Sequence, residues 1–325
     1  MLSEYLIEAK GITKIFMSSR GKVAVRAVDK VSLKIPEGST ITLIGESGCG
    51  KSTLGKLLVG AIKPTSGEIL YKGKNIWKMN RRTYKEFRRN AQLIHQDPYS
   101  AFNPMKTIYD SLKAPLLYYR IVGKEEVYES LVEMLRRAGV EPAEDILNRY
   151  PHQLSGGQLQ RLAIVRALSV NPKFVVADEI VSMLDASLRV EIVDLLKEFK
   201  KASNIACLFI THDFAIARYF APKERALIMY LGKIVESGIL EELIEDPLHP
   251  YTRALLDAVP ELDPRVARTK GLPKLKSWEP IDVTHYAIPG CRFYPRCPYS
   301  TDKCKKIEPE LIKIDNRYVA CHLFK

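Results

Sequence analysis

Residues 45–53 read Gly-Glu-Ser-Gly-Cys-Gly-Lys-Ser-Thr, a complete G-x-x-x-x-G-K-[ST] pattern. Its setting constrains the fold further. The apolar stretch Ile41-Thr42-Leu43-Ile44 before it predicts a buried strand, and Leu54, Leu57 and Leu58 after it fall at helical spacing. A glycine-rich turn between strand and helix lets successive backbone N–H groups converge on a polyphosphate, at the positive end of the helix dipole. Gly45, Glu46, Ser47, Gly48, Cys49, Gly50 and Thr53 are the candidate cradle. Lys51 is placed to reach the outer phosphates, and the Ser52 hydroxyl to ligate Mg²⁺. An ordinary Gly-rich turn does not require both flanking elements in register. The expectation is a nucleoside triphosphate site in an α/β fold.

Downstream, Leu154-Ser155-Gly156-Gly157-Gln158 opens a second helix. Ser155 can cap it and Gln158, three residues on, completes a capping box. Alone this would be a plain helix start. Together with the first pattern it reads as a second phosphate-binding helix end, and LSGGQ resembles the signature of ABC-type ATPases. Phe174-Val175-Val176-Ala177 is a continuous apolar run, as buried parallel strands are, and it ends in Asp178-Glu179. Ligands of open α/β sheets sit at the carboxyl ends of strands. Asp178 is thus placed to hold Mg²⁺ through water, and Glu179 to polarise the attacking water. A second run, Ile205 to Ile210, ends in Thr211-His212-Asp213.

The resemblance implies roles for further residues. His212 falls at the switch histidine that contacts the γ-phosphate, and Gln96 at the Q-loop glutamine that joins the Mg²⁺ shell. Ser182-Met183-Leu184-Asp185 matches the D-loop, which makes Asp185 a site residue. Phe16 matches the aromatic that stacks on adenine, with an apolar core position as the alternative. Asp97-Pro98-Tyr99-Ser100-Ala101-Phe102-Asn103-Pro104 is similar to a stretch of oligopeptide/dipeptide importer ATPases, as is His249-Pro250-Tyr251-Thr252-Arg253-Ala254-Leu255-Leu256. The run at 49–55 is more like the second ATPase of the usual pair. There are departures: Ile180-Val181 stand where the family commonly has Pro-Thr, and Met183 replaces the usual Ala. Losing Pro removes a fixed φ angle from the D-loop, which puts its stiffness in question and leaves the carboxylates in place.

A length of 325 residues suggests two domains, at about 100–200 residues each. The expected division is an ATP-binding domain over 1–260, with a helical subdomain at about 100–165, and a small irregular C-terminal cysteine module over 261–325. Pro260, Pro264, Pro273, Pro280 and Pro289 mark an extended linker between them. No uncharged apolar run approaches the ~18–20 residues needed to span a bilayer, and the opening stretch lacks the basic and apolar regions of a signal peptide. The expected location is peripheral, on the cytoplasmic face of the cell membrane. The net charge of +12 is carried partly by Lys78, Arg81, Arg82, Lys85, Arg88 and Arg89. Composition leaves a solvated face, anionic headgroups and nucleic acid all open as its use.

Four of the six cysteines, Cys291, Cys297, Cys304 and Cys321, lie in the last 35 residues. Their spacing, C-x5-C-x6-C-x16-C, matches neither common zinc knuckles nor the usual ferredoxin runs. Two disulfides, a Zn²⁺ site and an iron–sulfur cluster are the open chemistries, with disulfides disfavoured in a cytosolic chain. Gly290-Cys291 to Cys297-Pro298 resembles the cysteine module of the importer family, which implies a [4Fe–4S] cluster.

The combined expectation is the ATP-hydrolysing subunit of an importer of oligopeptides or dipeptides. The resemblance implies head-to-tail pairing with a second ATPase subunit, two permease subunits and, indirectly, a substrate-binding protein. In each ATP site the phosphate loop of one domain then faces Ser155, Gly156, Gly157 and Gln158 of the other. Oligosaccharide uptake is the alternative within the class. A DNA-repair ATPase is disfavoured because no sustained heptads separate the two motifs, and no nucleic-acid partner is expected. Glu179 and His212 together argue against a non-hydrolysing regulatory subunit.

Overall fold

The computed structural model describes residues 5–17, 24–259, 275–278 and 289–324. The chain opens with β1 (Ile7–Met17), β2 (Ala24–Ile35), β3 (Thr40–Ile44), α1 (Lys51–Leu58), β4 (Ser66–Tyr71) and β5 (Lys74–Asn75). Next come α2 (Arg81–Asn90) and β6 (Ala91–Ile94), then four helices in succession: α3 (Ile108–Tyr118), α4 (Val127–Arg137), α5 (Ala143–Asn148) and α6 (Gly156–Leu168). Alternation resumes with β7 (Phe174–Asp178), α7 (Ala186–Ser203), β8 (Ala206–Thr211), α8 (Phe214–Phe220), β9 (Arg225–Tyr230) and β10 (Lys233–Ile239). Helices α9 (Leu240–Glu245), α10 (Pro250–Asp257) and α11 (Asp302–Lys306) and the hairpin β11 (Ile312–Ile314) and β12 (Arg317–Val319) complete it.

The apolar runs become the centre of an eight-stranded sheet of order β11-β12-β10-β9-β3-β8-β7-β6. Strand β3 pairs in parallel with both β8 and β9, and β7 pairs in parallel with β8 and β6. Side-chain alternation divides the core. Val175, Ala177, Cys207 and Phe209 face the helical layer with Leu112, Leu131, Leu159 and Leu162. Val176, Leu208 and Ile210 face the other way, onto α1 and onto the antiparallel sheet β2-β1-β4-β5. The helices expected between about 100 and 165 are those of α3 to α6.

At the opposite edge β12 pairs antiparallel with β10, joining the C-terminal residues to the main sheet. A third core lies there, in which the rings of Tyr230, Tyr251 and Phe293 meet at centroid distances of 4.5, 5.3 and 5.4 Å. The cysteine-bearing segment is therefore packed on the domain. Of the proline linker, Pro260, Pro264, Pro273 and Pro280 lie outside the described residues.

The motif His249-Pro250-Tyr251-Thr252 starts α10 by wrapping a buried carboxylate. Glu236 of β10 is fully buried and accepts from the amides of Leu248 (2.8 Å) and His249 (3.0 Å) and from the Thr252 hydroxyl. His249 Nδ1 in turn accepts from the Tyr251 amide at 3.0 Å. An unpaired buried carboxylate would cost several kcal/mol, so this turn and strand require each other.

Burial pushes the His249 imidazole down to about 3. The unfolded chain takes up that proton near pH 6.5, so the stability this group contributes is present above pH 6.5 and is lost as pH falls toward 3. The Glu236 carboxyl, raised by burial, acts with the opposite sign. His249→Asn keeps a side-chain acceptor and removes the titration. Between pH 7 and 5 the wild type should lose about 2 kcal/mol more than this variant in urea unfolding. Parallel pH profiles would show that the imidazole takes up its proton as readily in the folded chain as in the unfolded one, and would overturn this expectation.

Candidate active site

The site is built where the parallel strands end. The loop leaving β3 turns through Gly45 to Gly50 into α1. Gly50 caps that helix at φ 110°, and a Cβ there would lie 2.0 Å from the Ala27 carbonyl oxygen. No other residue fits. At Gly45 a Cβ would lie 2.2 Å from the Met229 carbonyl oxygen, which keeps the loop against β9. The Gly232 amide donates to the Cys49 carbonyl at 2.7 Å, and the Glu46 amide to the Tyr251 hydroxyl at 2.9 Å.

Lys51 is buried, its ammonium 2.7 Å from the Gly45 carbonyl, 2.9 Å from that of Glu46 and 3.2 Å from Glu179 Oε1. Ser52 Oγ donates to Asp178 Oδ1 at 2.9 Å. Burial raises the Asp178 carboxyl, partly offset by this hydrogen bond. A hydroxyl and a carboxylate in contact are a hard oxygen donor set, and Mg²⁺ is commonly held by one or two carboxylates with waters completing its shell. Glu179 follows at φ 46°, a backbone that is uncommon outside glycine. Its carboxylate accepts from Gln96 Nε2 at 3.0 Å and lies 3.4 Å from His212 Nδ1. Strand ends β6 and β8 thus bring Gln96 and His212 to the Glu179 carboxylate at the end of β7, opposite the loop from β3.

A cavity of about 210 Å³ opens here, lined by Ala27, Ser47, Gly48, Gly50 to Thr53, Gln96 and Glu179. Ser155 to Gln158 are absent from its lining. Ser155 and Gln158 form the expected reciprocal capping box of α6, with bonds of 3.1 and 3.3 Å, and Ser155 and Gly156 are exposed. Phe16 is 43% exposed with Lys14 over its ring, so it is not a core residue, and it pairs across the sheet with Val25, two residues from Ala27. Asp185 is exposed at the start of α7.

The segment matched to the D-loop is packed in place although it lacks proline. Ile180 and Val181 are buried in the helical-side core, Ser182 Oγ donates to the Glu179 carbonyl at 2.9 Å, Leu184 is buried, and Met183 and Asp185 turn outward. Of the basic cluster, Arg88 and Arg89 donate to the carbonyls of Val59 and Val170 and Lys78 pairs with Glu68.

A second groove, of about 550 Å³, runs between the sheet edge and the helical layer. Gln92 to His95, Tyr118, Tyr119, Arg88 and Arg166 line it, and none of its lining residues is acidic. Tyr99, in the segment that follows Gln96, is half exposed nearby in sequence.

All six cysteines are free, and Cys291, Cys297, Cys304 and Cys321 line one small cavity of about 20 Å³ together with His249, Phe293 and His322. Burial raises Cys291 to about 12 and Cys321 to about 11. Among the described residues no group of three or more His, Cys, Asp and Glu side chains is drawn together as a single ion needs.

Sequence reasoning missed Glu236, Tyr251 and Arg296 as supports of this site. Arg296 Nη1 donates to Glu46 Oε2 at 2.9 Å. A carboxylate in mid-strand, Glu236 between Val235 and Ser237, was the available signal for one of them.

The fold and the loop, carboxylate and signature-helix arrangement define an ABC-type ATPase. Residues 28–182 match the ABC transporter family, and residues 235–304 the oligopeptide/dipeptide transporter C-terminal region. The chain is 38% identical to the di/tripeptide transport ATP-binding protein of Pseudomonas aeruginosa, over 98% of each chain. It is 39% identical to an oligopeptide transport ATP-binding protein of Bacillus subtilis, over 99% of this chain and 98% of the relative. An ATP-binding cassette solved as a dimer with ADP and phosphate superposes with a TM-score of 0.64 at 30% identity, over 72% of this chain and 98% of that one. The chain belongs to the ATP-binding subunits of the oligopeptide/dipeptide ABC transporters.

Proposed function

We propose that this chain hydrolyses ATP to drive peptide uptake through partner permease subunits, as one of two ATPase subunits that close head to tail. The observation that carries the reading is the meeting of Lys51, Gln96 and His212 on the Glu179 carboxylate, beside the Ser52–Asp178 pair. Phosphoryl transfer is catalysed by positioning and charge neutralisation. Lys51 would neutralise the outer phosphates and leave Glu179 free to orient water. Ser52, Asp178 and Gln96 would hold Mg²⁺, which supplies further neutralisation. His212 would steady the γ-phosphate, and Phe16 would stack on the base at the β1 end. The exposed Ser155 and Gly156 of α6, away from the lysine, fit a helix end that serves the partner subunit's nucleotide. Asp185 would lie at that same contact.

Glu179→Gln keeps shape and removes the base, so ATP turnover should fall by on the order of 10²-fold or more while nucleotide binding survives. Lys51→Ala should instead abolish nucleotide binding. Turnover of the glutamine variant within a few-fold of wild type would remove Glu179 from this role.

Among the described residues no helix is long and apolar enough to cross a membrane, so force must reach the membrane through a contact. The groove beside Gln92 to His95 is suited to a short cytoplasmic helix of a permease, because it adjoins Gln96 and thereby the Glu179 carboxylate. A cysteine at Tyr99 should crosslink to a permease loop in the assembled transporter. Crosslinks to nucleic acid, or no permease partner at all, would overturn the importer reading.

The four cysteines are proposed to hold a [4Fe–4S] cluster. Four free, largely buried thiols on one cavity are a soft donor set, suited to iron–sulfur clusters or zinc. The cluster would supply a cross-link among segments 291–304 and 321. Anaerobically purified protein should contain about four iron and four labile sulfide per chain, and Cys304→Ser should lose both while ATP binding persists. Zinc in their place, or disulfides in reduced protein, would exclude the cluster.

A further inference from the structure

We propose that Arg296 and Tyr251 are positioning residues of the ATP site, which hold Glu46 and the first turn of the phosphate loop outward so that residues 47–52 face the triphosphate without an opposing charge. The inference rests on the reading of residues 45–53 as the phosphate loop, and it goes beyond the residues that the loop pattern contains.

A carboxylate is out of place in an anion-binding turn. Glu46 is the second residue of this one, and within it no neighbour other than Lys51 is cationic. The structure turns its side chain away: Glu46 is absent from the cavity lining that Ser47, Gly48 and Gly50 to Thr53 share. The Arg296 guanidinium meets it there at 2.9 Å. Arg296 is itself well fixed, largely buried, with the Phe293 ring 5.9 Å from its guanidinium carbon and the Tyr230 hydroxyl beside it. The Tyr251 hydroxyl, on a fully buried ring, fixes the Glu46 amide from the same side. With Gly232 on the Cys49 carbonyl, the loop is held at both ends by residues of β9 to α10 and of the C-terminal segment.

Arg296 stands between Cys291 and Cys297, whose thiols line one cavity. The guanidinium is thus presented by the backbone turn in which Cys297 donates its amide to the Phe293 carbonyl at 2.9 Å. The same turn that gathers the cysteines delivers the charge that neutralises Glu46.

The charges predict the direction of every variant. MgATP affinity, KM and kcat would be measured on the full chain at low and high salt. Arg296→Gln leaves Glu46 unneutralised and should raise the ATP KM about tenfold with kcat little changed, a rise that shrinks at high ionic strength because the pair is partly exposed. Arg296→Lys should recover part of the loss. Glu46→Gln should lower KM, and the double variant Glu46→Gln/Arg296→Gln should return to near the wild-type value. A role in docking the C-terminal segment alone would impair the double variant as much as Arg296→Gln, without salt dependence, and that outcome would overturn the proposal. Should Arg296→Gln not fold, Tyr251→Phe keeps the ring packing and removes only the hydroxyl. Its ATP KM should rise several-fold, and an unchanged KM would equally count against the proposal. Lys51→Ala separates the two readings: if it leaves ATP binding intact the phosphate loop itself is misassigned, and if it abolishes binding while the other variants do nothing, only the present inference fails.

Discussion

The contact between Lys51 and Glu179 sets the geometry of everything around it. Both charges are buried, and an ammonium and a carboxylate withdrawn from water require each other and further hydrogen bonds. Two loop carbonyls complete the lysine, and Gln96 and His212 complete the glutamate. For the pair to meet, β3 and β7 must end at nearly the same level with only β8 between them, as the parallel register provides, Ile44 lying beside Thr211 and Asp178 beside Ile210. The left-handed backbone of Glu179 turns its carboxylate back toward the loop, a local cost of about 1–3 kcal/mol that the buried Ile180 and Val181 offset. In the proposed reading, a triphosphate that took the lysine would release the glutamate, which would couple nucleotide binding to the freeing of a base.

The parts of this arrangement that lie on buried parallel strands were legible in the sequence. Strands β3, β7 and β8 are largely apolar runs, and the residues that follow them directly, Gly45, Glu179 and His212, are the ones brought together at the candidate site. Capping at Ser155 was equally readable, because its partner Gln158 is three residues away. What could not be read depends on distant pairing. Strand β10 carries Glu236 in its centre and breaks the apolar pattern, and only the donors of residues 248–252 explain it. Glu46 and Arg296 are 250 positions apart, and neither residue type announces the other. Phe16, for which the sequence left two environments open, is exposed because β1 runs past the edge of the core.

The C-terminal cysteine segment shows how composition can mislead about independence. A segment this short and proline-rich has little apolar core of its own. Its actual support is shared: Phe293 fills an aromatic cluster with Tyr230 and Tyr251, and Arg292 pairs with the buried Asp29 of β2. Any group that the four thiols hold would add to a fold already anchored at those points.

The pairing of β12 on β10 has a consequence for the edge of the main sheet. Without residues 317–319, β10 would be the margin of an eight-stranded sheet cut to six, a row of unsatisfied amides and carbonyls open to another chain. The hairpin moves that margin outward to β11, which is only three residues long and carries Lys313. What looks like an appendage is in this sense the cover of a sheet edge, and removal of residues 312–319 would leave β10 bare along that side.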